Sequence, residues 1–257
     1  MLRVAISGSG RMAREVCGAL RSQPDTEPVG FVDALAEPGE CQGLTLLREP
    51  DDLFDLRKPD VVIDFTNAEW TPKLAEAALD RGVRLVIGTS GLAPGFVEDL
   101  GRRCAERRIG AVLAFNFGLG AVLMMHLAGI ASRFYESAEI IELHHDQKVD
   151  APSGTALATA QGMAAARGEA FSRNVPEREN IPGARSVQQD GVTIHSVRLP
   201  GLVAHQEVLF GGTGEILSLR HDTTSRESFM PGVLLATREV MKRDGLVVGL
   251  DSLLGLK

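Results

Sequence analysis

Two histidines, a lysine and a Ser-Gly-Thr triplet fall close together in this chain, at His144, His145, Lys148 and Ser153-Gly154-Thr155. An imidazole takes up and releases protons near neutral pH because its unperturbed pKa is about 6.5. A lysine in such a loop can act as an electrostatic clamp, a proton donor or a Schiff-base nucleophile, and residue type alone leaves the three open. Ser153 suits the cap of a following helix, and Gly154 leaves the backbone bare for close approach. The free amides of Gly154 and Thr155 would then face an anion at the positive end of the helix dipole. Together these residues suggest an acid–base site for a small anionic substrate. They do not suggest a metal site. Successive strand residues face opposite sides, so His144 and His145 cannot easily share an ion, and no third ligand stands at a usual spacing.

Such a loop needs rigid flanks. Ala138–Glu142 is apolar and β-branched enough to be a strand, and Ala156–Arg167 is an alanine-rich helix stopped by Gly168. The start of the chain holds a second kind of site. A strand at Leu2–Ser7 runs into Gly8-Ser9-Gly10-Arg11-Met12-Ala13 and then a helix over Ala13–Leu20, the strand–turn–helix context of a dinucleotide fingerprint in its G-x-G-x-x-A form. The next strand, 28–33, ends on Asp33, where a carboxylate can hold the adenosine ribose hydroxyls. Arg11 could instead pair with a 2′-phosphate, so both NAD and NADP are admitted.

Strands over 59–66, 83–91 and 109–115 alternate with helices over 71–81 and 96–108. That alternation predicts a parallel, doubly wound sheet with its ligand crevice beyond the carboxyl ends of the strands. The segments placed there are Gly8–Ala13, Asp33, Phe65-Thr66, Gly88-Thr89-Ser90-Gly91 and Asn116-Phe117. Residues 34–57 yield only a short helix at 51–56. A long helix is predicted over Gly118–Glu136, a polar proline-broken segment over 171–190, and a last helix over 231–241. Segments 192–199, 204–210 and 215–222 suggest an antiparallel meander. The expected fold is therefore α/β: a Rossmann-type doubly wound parallel sheet plus a second α+β domain with a mixed or antiparallel sheet. The expected domains are 1–115 with 229–257 for the dinucleotide, and 116–228 for substrate binding and oligomerisation.

Composition narrows the partners. The chain has 257 residues, 44% hydrophobic and 24% charged, and a formal charge of −7 that argues against a nucleic-acid or anionic-membrane binder. Cys17, Cys41 and Cys104 are odd in number and widely spaced, which fits neither a disulfide framework nor a zinc site and does fit a reducing cytoplasm. The first residues run straight into a strand and do not resemble a signal peptide. The most apolar stretch, 121–130, is too short to span a bilayer. A soluble, cytoplasmic protein is expected.

The stretch Glu142-Leu-His-His-Asp-Gln-Lys-Val-Asp-Ala-Pro-Ser-Gly-Thr-Ala156 resembles the signature of the 4-hydroxy-tetrahydrodipicolinate reductase family, formerly the dihydrodipicolinate reductases. The similarity covers essentially the whole chain and includes Gly8–Ala13, Asp64-Phe65-Thr66, Gly88–Gly91, Asn116-Phe117 and Gly201-Leu-Val-Ala-His-Gln-Glu207. The resemblance implies reduction of a cyclic dicarboxylate imine by NADH or NADPH in the diaminopimelate route to lysine. It makes His144 the proton donor or acceptor and Lys148 a second proton donor. His145 and the Ser153-Gly154-Thr155 cradle would bind the substrate's carboxylates. Gly8–Ala13, Asp33, Phe65, Thr66, Gly88, Thr89, Ser90, Ala114, Phe115, Asn116 and Phe117 would line the cofactor. A homotetramer joined through sheets of the second domain is also implied. Ala13, Ala34, Asn67 and Gly118 depart from residues common in the family, and none is a proposed acid–base residue. The rival readings are another two-domain NAD(P)-dependent dehydrogenase acting on an amino acid or semialdehyde, a Schiff-base lyase using Lys148, and a non-catalytic nucleotide sensor.

Overall fold

The computed structural model describes residues 1–172, 176 and 178–256. These divide into two units, Met1–Leu119 with Phe229–Lys257, and Gly120–Ser228. The chain begins with β1 (Leu2–Ser7), α1 (Arg11–Arg21) and β2 (Thr26–Val32), followed by a small hairpin of β3 (Gly39–Cys41) and β4 (Leu44–Leu47). Next come α2 (Pro50–Arg57), β5 (Val61–Asp64), α3 (Thr71–Asp80), β6 (Arg84–Ile87), α4 (Pro94–Arg107) and β7 (Ala111–Leu113). The second unit holds α5 (Leu119–Ala131), β8 (Ser137–His144), α6 (Gly154–Arg167), β9 (Val187–Gln189), β10 (Val192–Arg198), β11 (Ala204–Gly212) and β12 (Glu215–Thr223). The chain then returns to the first unit with α7 (Met230–Glu239) and β13 (Leu246–Val248).

In the first unit the strands lie in the order β13-β7-β6-β5-β1-β2-β4-β3. All neighbours are parallel except the β3–β4 hairpin. Every residue of β5 and β7 is buried, as expected for strands covered by helices on both faces. One layer of the core gathers Leu74, Ala78, Leu85, Ile87, Leu100 and Leu113 between the sheet and the α2, α3 and α4 side. The order reverses around β1, with β2 on one side and β5 on the other, so the crevice at its carboxyl end is the ligand position of this fold.

The second unit is a mixed sheet in the order β12-β11-β8-β10-β9. β8 pairs in parallel with β10 and antiparallel with β11. The expected three-strand meander is therefore corrected: β8 separates β10 from β11, and only β11 and β12 form a hairpin. The physical reason is the α6 crossover, which returns the chain parallel to β8 on one edge and leaves the other edge for β11. Ala138, Ile140, Val208, Phe210 and Ile194 build the core of this sheet against Met124, Ala128, Ala160 and Met163 of the helices.

Other expectations change in extent. The helix predicted over 118–136 ends at Ala131, where the Ser132 hydroxyl turns back to the Gly129 carbonyl at 2.7 Å. Residues 34–57 contain β3 and β4 besides the helix, and β13 is an edge strand that the sequence pattern did not mark. The polar segment 171–190 falls partly on residues 173–175 and 177, which lie outside the described residues, as does 257.

Candidate active site

In the second unit the alternation of β8 turns Ala138, Ile140 and Glu142 inward, leaving Glu142 wholly buried and His144 two residues further along the same face. Glu142 Oε2 lies 2.5 Å from His144 Nδ1. Arg198, at the end of β10, donates from Nη1 to Oε2 and from Nη2 to Oε1, both at 2.8 Å. The Ser153 amide donates to Oε1 at 3.2 Å. Burial would push the Glu142 carboxyl up, but hydrogen bonds from His144, Arg198 and Ser196 outweigh it and hold the group at about 2.

The loop after β8 turns on itself, with the Lys148 amide donating to the His145 carbonyl at 3.2 Å. Lys148 Nζ donates to Asp150 Oδ1 at 2.6 Å, and this bond holds the Asp150 carboxyl below its ordinary range. Arg198 Nη2 also donates to the Asp150 carbonyl at 2.8 Å, tying the loop to β10. Ser153 then caps α6: its hydroxyl accepts from the Ala156 amide at 3.2 Å. Gly154 is exposed, and a methyl built on it would meet nothing within 4 Å. The helix thus starts with an open backbone, the feature a carboxylate needs in order to reach its amides. His144, His145, Lys148 and the Ser153–Thr155 cradle all sit on this one strand–loop–helix segment.

In the first unit the segments read as cofactor-binding follow the carboxyl ends of β1, β2, β5, β6 and β7, which are neighbours in the sheet. Gly8 has φ +90, a conformation that favours glycine, and no side chain caps the start of α1 at Gly10. A Cβ at Gly10 would meet nothing within 4 Å, so backbone amides of this turn are open to a pyrophosphate. Asp33 Oδ2 accepts from the Ser9 amide at 2.9 Å and the Ser9 hydroxyl at 2.6 Å, which holds the acid beside the glycine turn. These features fit a nicotinamide dinucleotide, with Gly8–Ala13 at the phosphates and Asp33 at the ribose.

Beneath that edge, Asp64 is fully buried and accepts from the hydroxyls of Thr66 at 2.6 Å, Thr71 at 2.5 Å and Thr89 at 3.0 Å. It thereby joins the loops after β5 and β6. Phe65 packs edge-on against Phe117 at 5.1 Å, and a methyl on Gly88 would run into the Phe65 ring. Among the expected cofactor residues, Ala13, Thr89, Ala114 and Phe117 are buried, so their side chains belong to the core under the edge. Ser90, Arg11 and Phe115 are exposed, while Ser9, Met12, Phe65, Thr66, Gly88 and Asn116 are half-buried. The Asn116 side chain accepts from the Gly118 amide at 2.8 Å and shapes that turn.

Sequence reasoning did not single out Glu142 or Arg198 as site residues. Glu142 carried a signal, because a charged residue two positions before His144 in an apolar strand shares its face. Arg198 carried none until β10 was known to pair with β8, where it lies opposite His144. Among the described residues, no cluster of three or more His, Cys, Asp or Glu could hold a metal ion. No helix among them is long and apolar enough to cross a membrane.

Two family models match the chain end to end: "Dihydrodipicolinate reductase, N-terminus" over residues 2–117 and "Dihydrodipicolinate reductase, C-terminus" over 120–254. A 4-hydroxy-tetrahydrodipicolinate reductase of Dehalococcoides mccartyi is 47% identical over 262 residues, covering 99% of each chain. A solved dihydrodipicolinate reductase from Paenisporosarcina sp. TG-14, with dipicolinate bound, is 39% identical with a TM-score of 0.88, covering 98% of this chain and 99% of that one. An amine dehydrogenase from Mycobacterium smegmatis shares the fold at 14% identity and a TM-score of 0.66, covering 96% of this chain and 94% of its own.

Proposed function

This chain belongs to the dihydrodipicolinate reductase family, and on that premise we propose how its residues divide the work of the family's reaction. The chain is an NAD(P)H-dependent oxidoreductase that reduces 4-hydroxy-tetrahydrodipicolinate to tetrahydrodipicolinate in the diaminopimelate route to lysine. One observation carries this assignment. The family match runs through both units, including the His144–Thr155 loop, which a dinucleotide-binding fold by itself does not require. Another two-domain dehydrogenase acting on an amino acid or semialdehyde is not favoured, because likeness to the amine dehydrogenase is confined to the fold.

When bound, NADH or NADPH supplies the hydride that reduces the ring. Gly8–Ala13 would hold the pyrophosphate through the amides at the start of α1, those of Gly8 and Ser9 already donating to the Val32 carbonyl and to Asp33. Asp33 would hold the ribose, and Phe65, Thr66, Gly88–Ser90 and Ala114–Phe117 would line the same edge. In the second unit His144 exchanges a proton with the substrate and Lys148 donates another, accompanying loss of the ring hydroxyl. His145, Ser153, Gly154 and Thr155 hold the two carboxylates. The net charge of −7 makes these local cationic and amide groups necessary, since the overall field repels a dicarboxylate. The domains inferred are 1–115 with 229–257 for the cofactor and 116–228 for substrate and assembly. A cytoplasmic homotetramer completes the reading. The free thiols of Cys17, Cys41 and Cys104 suit a reducing compartment, and the edge strand β12 leaves Ile216 75% exposed. Light scattering should then give four times the 27.5 kDa chain mass.

The test is loss of absorbance at 340 nm with substrate made in situ from pyruvate and aspartate semialdehyde by a synthase, with NADH and NADPH in parallel. Oxidation that needs the complete mixture is the expected result, and the ratio of the two rates gives the cofactor preference. No oxidation by protein shown to bind the cofactors would overturn the reading.

A further inference from the structure

Glu142 occupies a position in β8 where its inward neighbours are Ala138 and Ile140, and it is 0% exposed. A carboxylate in such a place is costly unless every lone pair is used. Here they are used in a specific pattern. Oε2 takes His144 Nδ1 and Arg198 Nη1, while Oε1 takes Arg198 Nη2 and the Ser153 amide. The paired guanidinium keeps the group ionised, and an ionised carboxylate only accepts hydrogen bonds. The facing Nδ1 must therefore carry a proton, which leaves Nε2 as the nitrogen free to gain and lose one. The Ser153 amide ties the same carboxylate to the start of α6, which bears Gly154 and Thr155.

We propose that Glu142, gripped by Arg198, is a positioning residue: it sets the Nδ1–H tautomer of His144, makes Nε2 the proton-exchanging nitrogen, and anchors the helix start that binds the substrate's carboxylates. This rests on the reading of His144 as the proton donor or acceptor.

The test pairs imidazole 15N–1H NMR with steady-state kinetics on the full chain. In the wild type at alkaline pH, the signal that disappears in H144Q should be that of an Nδ1–H tautomer. In E142Q the amide can turn its NH2 toward Nδ1, so the signal should move toward the Nε2–H tautomer. An orienting carboxylate replaced by its amide reverses an imidazole in this way in serine proteases. The kcat of E142Q should fall roughly 100-fold or more, with the Kd for NADH unchanged. E142D keeps the charge and should keep the tautomer and recover part of kcat, and it serves alone if E142Q does not fold. An Nε2–H tautomer in the wild type, or E142Q and E142D that fold and turn over like wild type, overturns the proposal. If H144Q itself keeps wild-type kcat, the proton role of His144 fails and this proposal falls with it. Loss in H144Q without loss in E142Q refutes the Glu142 role alone.

Discussion

Arg198 meets Glu142 with both of its Nη atoms, each 2.8 Å from a different carboxylate oxygen, although the two residues are 56 apart in sequence. The strand register explains how: Arg198 lies opposite His144 in the β8–β10 ladder, one pleat from the carboxylate it holds. Planar fork-to-fork pairing of this kind is both strong and directional.

Removing the cation while the acid stays buried should be severe. R198M is expected to lower the unfolding free energy by roughly 3 kcal/mol, the low end for breaking a buried ion pair, because Arg198 keeps some solvent contact. Urea denaturation at pH 7 measures this, and a change under 1 kcal/mol would contradict the assigned role of the pair.

The same pair predicts an acid limb of stability. Glu142 has its folded pKa depressed from 4.5 to about 2, so its stabilisation is fully present above pH 4.5 and is lost as pH falls through 2. Its contribution should decline by up to about 1.4 kcal/mol per pH unit across that window. Urea midpoints of wild type and E142Q, compared from pH 7 to pH 2, should converge below pH 4.5. A difference that does not vary with pH would refute the linkage.

Gly88 is small because Phe65 lies over it. G88A forces the Phe65 ring away from Phe117, at an expected stability loss of about 1–3 kcal/mol. NADH binding should weaken together with the melting temperature, which calorimetry can follow in one preparation. Unchanged binding in a destabilised variant would remove the loops after β5 and β6 from the cofactor edge.

Ser153 caps α6, and the proposed reading gives it a second task, holding the substrate. S153A should cost about 1 kcal/mol through the lost bond to the Ala156 amide and raise KM for the dicarboxylate. The Kd for NADH should stay at its wild-type value. A raised NADH Kd with normal substrate KM would argue against the cradle.

Asp33 should matter more to one cofactor than to the other. D33A removes the acceptor for Ser9 and for a ribose hydroxyl, so the Kd for NADH should rise roughly tenfold. NADPH should lose less, because its 2′-phosphate is repelled by the carboxylate in the wild type. Equal losses would show that Asp33 acts only on the turn.

Much of this was legible because the deciding signals are local. The strand–glycine turn–helix at the start of the chain, Asp33 after the second strand, and the Ser153 cap each depend on neighbours a few residues away. The strands β3, β4 and β13 were not legible, since three or four residues carry too little alternation and their pairing comes from the sheet edge they meet. The place of β8 between β10 and β11 is likewise decided by the α6 crossover. In the site, His144 and Lys148 declared themselves by type. Glu142 could have been found from its shared face with His144, and Arg198 only through strand pairing.

The second unit is one continuous stretch, Gly120–Ser228, whereas the first is assembled from residues on both sides of it. On the ribosome the usual order of domain completion is therefore inverted. The mixed sheet of the second unit has emerged whole while β7 still lacks its neighbour β13 and the first unit still lacks α7. A nascent chain therefore completes the buried Glu142–Arg198 pair of the second unit before the parallel sheet of the first can gain its β13 edge.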